Sequence, residues 1–530
     1  MTEIFYNLIK WRVVSLSNMK RFLALMIMVL FAVVLTACGD NSEESGSGDN
    51  EQNNDSEESS NSEEQQEESD EPYSFTIMAN LHTPEVPDEK VLAKIEEATN
   101  TNVEIQWVPD NNYEDRLNTA FATNSLPEAV FMKNQTTFIQ FREAIEDDQF
   151  WQLDEYIDEF ENLKKLKDNV LDNTRVNGNL YTLYQGRPLS RQGIIYRKDW
   201  ADNLGLSAPT TTDEFMEMAR AFTEDDPDGN GKDDTFGVTD RSDLVYGAFK
   251  TVASWFGTPN DWGEKDGQLL PEFMFDEYKQ TMDFFKQMYE NGYINQDFPV
   301  TSKTDQQEFF KNGTAGIYVG SMGDVISIYN DAVAINPDVE FDVHNQVKGP
   351  HGEFGVWAIP GFGNLVMFPK SSVETEDDLR KILTFFDKMM TPEVANLAYW
   401  GIEGEHYEVV DGFAKVLDTD ISEREVKPYQ ALEIGEAETN GRYEGLFEYE
   451  PKAKSEDLFK DNENYLIENP TVPLYSETFV QDGARLQQII TDATYNYIIG
   501  QLDEAGFDAA VENWKSQGGD KMIEEFNASE

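Results

Sequence analysis

The sequence predicts an α/β protein built as two lobes, and three observations carry that prediction. Short alternating apolar stretches of strand type trade places with amphipathic stretches of helix type. Residues 73–530 exceed the length at which one hydrophobic core stops growing. No segment repeats at a fixed period, which disfavours solenoids and propellers.

The first element is a targeting segment. Lys20 and Arg21 precede an unbroken apolar run from Phe22 to Leu35, shorter than a membrane span, so residues 1–37 read as a secretory signal. Met19-Lys20-Arg21 already opens a complete signal, which makes Met19 an alternative start. The run closes on Leu35-Thr36-Ala37-Cys38, which resembles a bacterial lipobox, and Cys38 is the only cysteine. A lone secreted thiol has no internal disulfide partner, so a diacylated, palmitate-type anchor at Cys38 accounts for it. The expected location is the extracellular face of the cell membrane.

Residues 38–72 follow as a tether. From Gly39 to Glu71 there is no aliphatic, aromatic or basic residue, so nothing in it can build a core. A flexible chain of this length spans about 30–35 Å, and charge repulsion extends it. Of the net charge of -61, the tether carries -14, the first 38 residues +3, and the folded part about -50. Such a surface repels phosphate backbones and anionic headgroups, which argues against nucleic-acid partners and against a peripheral membrane-surface role.

The folded part opens with a βαβ pattern. Phe75, Ile77 and Ala79 alternate, a helix follows with Pro87 near its start and Val91, Ile95 and Ala98 on one face, and Val103, Ile105 and Trp107 alternate again. Largely parallel sheets are expected from this pattern. Thr211 and Glu214 have capping-box spacing ahead of an apolar stripe of Phe215, Met218, Ala219 and Phe222. Tyr278, Met282, Phe285 and Tyr289 line a further helix that stops at Gly292. The expected lobes are residues 73–187 with part of the C-terminal third, and 188–365 with the remainder.

Several segments carry a family resemblance. Leu126-Pro-Glu-Ala-Val-Phe131, Gly178-Asn-Leu-Tyr181, and Tyr196-Arg-Lys-Asp-Trp200 with Leu204-Gly-Leu206 resemble extracellular solute-binding protein family 1. Asp226-Pro-Asp-Gly-Asn-Gly231, Gly401-Ile-Glu-Gly-Glu-His-Tyr407 and a C-terminal helix around Phe507 to Trp514 ending in Gly518-Gly519 are similar to its LipO/YtcQ-like branch, which includes alginate- and pectin-fragment binders. The resemblance implies a type II periplasmic-binding-protein fold, with a ligand cleft between lobes joined by hinge segments. It also implies two permeases and a cytoplasmic ATPase of an ABC importer as partners of a monomeric binding protein.

The strongest local chemical pattern is an EF-hand-type loop. Asp226, Asp228, Asn230 and Asp234 place oxygens at positions 1, 3, 5 and 9, the Lys232 carbonyl stands at position 7, and Gly231 is the turn glycine. Position 12 is Gly237 where a bidentate Glu would stand, so calcium here needs a ligand from elsewhere or water. The resemblance implies a structural calcium rather than a ligand or catalytic centre. The alternative is a metal-free acidic turn.

Sugars present flat C–H faces to aromatic rings and hydroxyls to polar rims. Trp255, Trp262, Trp357 and Trp400 each sit beside turn-forming residues and are the expected platforms, with Glu403 and His406 as rim groups. Arg187, Arg191, Arg197 and Lys198 cluster near the expected lobe crossing, where guanidinium groups could clamp a uronate; Arg197-Lys198-Asp199 also reads as a general fold element.

No Gly-x-Ser-x-Gly elbow, His-Glu-x-x-His helix or Walker loop is present, so the reading is non-enzymatic. A carboxylate pair for glycoside hydrolysis stays open, because 102 acidic residues bring some together in any fold. The function expected is capture of a carbohydrate, in oligosaccharide form, for an ABC importer. A lipid-tethered polysaccharide hydrolase or lyase is the competing class, and a sensory or adhesive lipoprotein a third.

Overall fold

Two mixed sheets organise the chain. The computed structural model describes residues 71–83 and 85–529, so the signal segment, Cys38 and nearly all of the tether lie outside the described residues. The first sheet runs in the order Thr101–Pro109, Tyr73–Leu81, Ala129–Met132, Phe362–Met367, Leu183–Gly186. The second runs Phe341–His344, Gln192–Arg197, Ala315–Ser321, Phe236–Thr239.

The opening βαβ unit forms as its alternation predicts. Tyr73–Leu81 and Thr101–Pro109 pair in parallel, with Phe75 opposite Val103 and Ile77 opposite Ile105. Lys90–Thr99 bridges them and buries Val91 and Ile95. Asn100 caps that helix in the left-handed conformation at φ 55°, which asparagine tolerates better than most residues.

The expectation of largely parallel sheets is corrected. In each sheet the strand entered directly from a lobe crossing runs against all the others. Phe362–Met367 is antiparallel to both of its neighbours, and Gln192–Arg197 likewise. The reason is geometric: the remaining strands run toward the crossing edge, whereas these two start at it.

The second sheet is buried on both faces, so its strands read as continuous apolar runs. Ile194, Tyr196, Ile317 and Val319 join one core, while Ile195, Tyr318 and Val343 join another on the opposite face. Helices cover these faces. Thr212–Glu224 buries Phe215, Met218, Ala219 and Phe222, and Thr211 Oγ1 accepts the Glu214 N–H at 3.2 Å. The Glu214 carboxylate reaches back to Thr210 N at 2.7 Å, one residue earlier than a regular capping box. Asp276–Glu290 buries Tyr278, Met282 and Phe285 and is followed by Gly292 at φ +74°.

The C-terminal helix does not end at its glycine pair. Glu504–Trp514 passes through a wide turn at Lys515–Gly519 and resumes as Asp520–Ser529. Gly518 takes φ 137°, and a Cβ on Gly519 would meet the Trp514 ring at 2.1 Å, so the two glycines make a kink packed on the indole. Among the described residues no helix is long and apolar enough to cross a membrane.

Candidate functional site

Chain segments cross between the sheets side by side. Arg187 N donates to Gly361 O at 2.8 Å and Ile359 N to Leu189 O at 2.8 Å, which ties the outgoing crossing to the returning one. Val356–Trp357 pairs in parallel with Leu466–Ile467, and Asn260 Nδ2 donates to Ala358 O at 2.8 Å and Ile467 O at 3.0 Å, locking a second-lobe turn onto both strands.

A pocket of about 290 Å³ opens beside these crossings. One wall comes from the first lobe, at Gln135–Arg142 and Asn173–Val176, the facing wall holds Tyr246, Lys250 and Asp261, and the segment from Asn469 to Val480 closes the side. Trp357 forms its base, with Nε1 donating to Thr251 Oγ1 at 3.1 Å. Tyr246 packs on that indole edge to face at 5.7 Å and is 55 % exposed, so the phenol offers the open aromatic surface and the indole supports it. The Arg142 guanidinium lies 4.7 Å over the Tyr475 ring.

Lys250 is buried in this wall. It pairs with Asp261, and Glu272 Oε2 lies 3.6 Å from its Nζ. Burial opposes the ammonium charge, but the Asp261 and Glu272 carboxylates outweigh it and hold Lys250 above the usual lysine range.

A second pocket of about 360 Å³ is lined by Arg187, Tyr399, Trp400, Arg442 and Phe447, and shares no lining residue with the first. Trp400 is half-buried there and donates from Nε1 to Tyr443 O at 2.8 Å. The Arg442 guanidinium stacks 3.7 Å over Tyr399.

Of the four expected indole platforms, Trp357 and Trp400 line pockets, while Trp255 and Trp262 are placed in the second-lobe core. Trp255 is 2 % exposed and packs edge to face on Phe215 at 5.3 Å. Trp262 packs on Phe526 at 4.8 Å. Turn residues beside a tryptophan mark where the backbone bends, and both rings point inward from their bends.

The expected polar rim is corrected as well. Glu403 is exposed beside Lys94, Pro392 and Tyr407, all first-lobe residues away from the crossings. His406 is buried, its Nδ1 accepting the Ile402 N–H at 2.9 Å and its Nε2 facing Glu425 Oε2 at 3.3 Å. This pins the Gly401–Tyr407 turn. In the basic cluster, Arg197 is buried, bonded twice to Asp199 at 2.8 and 2.5 Å and stacked on Trp200, so it serves the fold. Arg191 is exposed on the crossing and lines neither pocket.

The acidic loop folds tightly on itself. Asp226 takes φ 46°, its carboxylate accepts the Gly231 N–H at 3.0 Å, and the Asn230 amide bridges Asp228 at 2.7 Å and Asp234 at 3.1 Å. The loop is closed by its own hydrogen bonds, with Asn230 Oδ1 accepting the Lys232 N–H at 2.9 Å, and among the described residues its carboxylates do not gather as one ligand cluster. A Cβ on Gly237 would lie 2.4 Å from Ala219 O, so the backbone leaves no room for the missing glutamate.

Tyr246, Arg142, Lys250, Asp261 and Tyr475 escaped sequence reasoning. The one signal for them is the Pro-rich stretch Asn469-Pro-Thr-Val-Pro473 leading into Tyr475, which marks an irregular segment between helices.

Two α/β lobes joined by bonded crossings, with an aromatic and charged pocket between them, define a bilobal ligand-capturing protein. The chain belongs to the bacterial extracellular solute-binding protein family, whose model matches residues 83–395. It is 43% identical to the polygalacturonan/rhamnogalacturonan-binding protein YtcQ of Bacillus subtilis (strain 168) over 86% of this chain and 91% of that one. It is 35% identical to lipoprotein LipO of the same organism, over 85% and 91%. Among solved structures, an HMO-binding solute-binding protein of Bifidobacterium longum infantis superposes with TM-score 0.64 at 16% identity, covering 86% of this chain and 98% of that one. An EF-hand mutant of the Streptococcus pneumoniae ABC-transporter substrate-binding protein FusA, in complex with fructo-nystose, gives TM-score 0.54 at 18% identity, over 86% and 97%.

Proposed function

We propose that this protein captures an oligosaccharide of pectic type in the pocket between its lobes and delivers it to an ABC importer. The observation that carries the reading is the Tyr246 phenol, exposed in the pocket and backed by Trp357, which is the surface a sugar ring packs on. YtcQ, similar over most of the chain, is named for binding polygalacturonan and rhamnogalacturonan. Cys38 carries the lipid, and the tether holds the lobes clear of the membrane, where permease subunits receive the closed, liganded form.

Titrating the protein with a rhamnogalacturonan tetrasaccharide or with trigalacturonate is expected to shift tryptophan emission, and the sugar should be recovered intact after long incubation. Shortened or unsaturated products would replace this reading with a hydrolase or lyase.

The acidic loop holds a structural calcium through Asp226, Asp228, Asn230, the Lys232 carbonyl and Asp234; the FusA structure named for its EF-hand mutation supports a cation loop in this fold. Calcium at a hundred times its dissociation constant adds about 2.7 kcal/mol of stability by mass action. Asp226→Ala with Asp228→Ala is expected to erase the difference in melting temperature between calcium and chelator. A wild-type protein indifferent to chelator would refute the site.

A further inference from the structure

We infer that Asp261 selects a neutral sugar unit at the second-lobe wall of the pocket by accepting hydrogen bonds from its hydroxyls. The inference rests on the oligosaccharide reading above and deepens it.

Asp261 stands in the pocket with its side chain 49 % exposed. One oxygen meets the Lys250 ammonium and the other accepts from Asn469 Nδ2 at 3.0 Å. A carboxylate offers about four lone-pair sites, so acceptor capacity remains on the open side. Lys250 lines the same wall but is largely covered. Its side chain is 5 % exposed, covered by Asp261, Glu272 and the Trp357 ring 5.5 Å from its Nζ. The ammonium is thus paired with Asp261 and offers a ligand anion little surface.

The backbone is built to present this carboxylate. Asp261 takes φ 59°, a left-handed conformation uncommon outside glycine. Its N–H donates to Glu272 Oε2 at 3.1 Å and its carbonyl accepts the Glu272 N–H at 2.7 Å. The preceding Asn260 is bonded to both crossing strands. A conformation of this kind persists when its surroundings over-determine it, and such positions gather at ligand sites.

The chemistry of the wall then discriminates. A sugar hydroxyl beside Asp261 donates a charge-assisted hydrogen bond. A uronate there would bring two carboxylates together, and like charges repel at that distance. The facing wall holds Arg142 and Arg175, which pair with Glu146 and with Asp154 and Asp172 in this structure, and guanidinium groups are the donors suited to an acidic unit. A ligand alternating neutral and acidic sugars satisfies both walls at once, whereas an all-uronate chain meets Asp261 with a like charge.

Calorimetric titration of the wild-type protein with a tetrasaccharide of alternating rhamnose and galacturonate, and with trigalacturonate, tests this. The alternating probe is expected to bind about tenfold more tightly or better. Asp261→Asn keeps the left-handed backbone, which asparagine adopts readily, and is expected to weaken the alternating probe about tenfold while sparing trigalacturonate, so that the preference collapses. A wild-type preference for trigalacturonate, or an unchanged ratio in Asp261→Asn, overturns the role of Asp261 and leaves oligosaccharide capture standing. Failure of both probes to bind wild-type protein overturns both readings. The wild-type comparison needs no variant to fold.

Discussion

Trp357→Ala is expected to lower both stability and sugar affinity, whereas Tyr246→Ala lowers affinity with little change in stability. The two rings touch, but they stand differently. Trp357 is 3 % exposed on a crossing strand, bonded through Nε1 to Thr251. Removing it leaves a cavity at the junction of the lobes, at a cost of about 3–5 kcal/mol. Tyr246 already faces solvent, so truncation opens no cavity and removes only the platform, about 1–2 kcal/mol of binding. Chemical denaturation gives the first quantity and calorimetric titration the second. Equal stability losses in the two variants would contradict this assignment of platform and support.

A second large effect concerns pH. Asp240 follows the strand Phe236–Thr239 and is buried, its Oδ1 accepting the Ala248 N–H at 2.9 Å. Gly247 closes over it, since a Cβ there would come 2.7 Å from Asp240 Oδ1. Burial pushes the carboxyl up to about 7, against the pull of backbone donors and Arg241. An acid whose folded pKa lies above its unfolded value of about 4 binds its proton more tightly in the native state. Its contribution to stability is therefore full below about pH 4, declines as pH rises toward 7, and is constant above that. The three-unit span sets an upper bound of about 4 kcal/mol.

Asp240→Asn retains the acceptor for Ala248 and cannot titrate. Urea denaturation at pH 5 and pH 8 should show a smaller loss of stability with rising pH in the variant than in the wild type. Identical slopes would mean that Asp240 does not titrate in this range. Because Asp240 and Arg241 hold the loop that carries Tyr246, with Arg241 bonded to the Tyr246 carbonyl, the same titration bears on the pocket wall.

Local chemistry settled much of this molecule in advance. The opening βαβ unit, the Thr211 cap and the tight turn of the Asp226–Asp234 loop follow from residues close together in the chain, where period, capping oxygens and turn glycines act within a few residues. The run Leu35-Thr36-Ala37-Cys38 resembles a lipobox by the same local reading and lies outside the described residues. Tertiary structure decided what depends on distant partners. It turned Phe362–Met367 and Gln192–Arg197 against their neighbours, because strand direction depends on which edge the chain enters from. It sent Trp255 and Trp262 into the core and left Trp357 and Trp400 at pockets, although all four have similar flanking residues. An indole is apolar whether it meets a phenylalanine or a sugar, so burial in a core and burial under a ligand leave the same mark on the sequence. The difference lies in what stands opposite, and for Asp261 that is Lys250, Asn469 and an open pocket brought together by the fold.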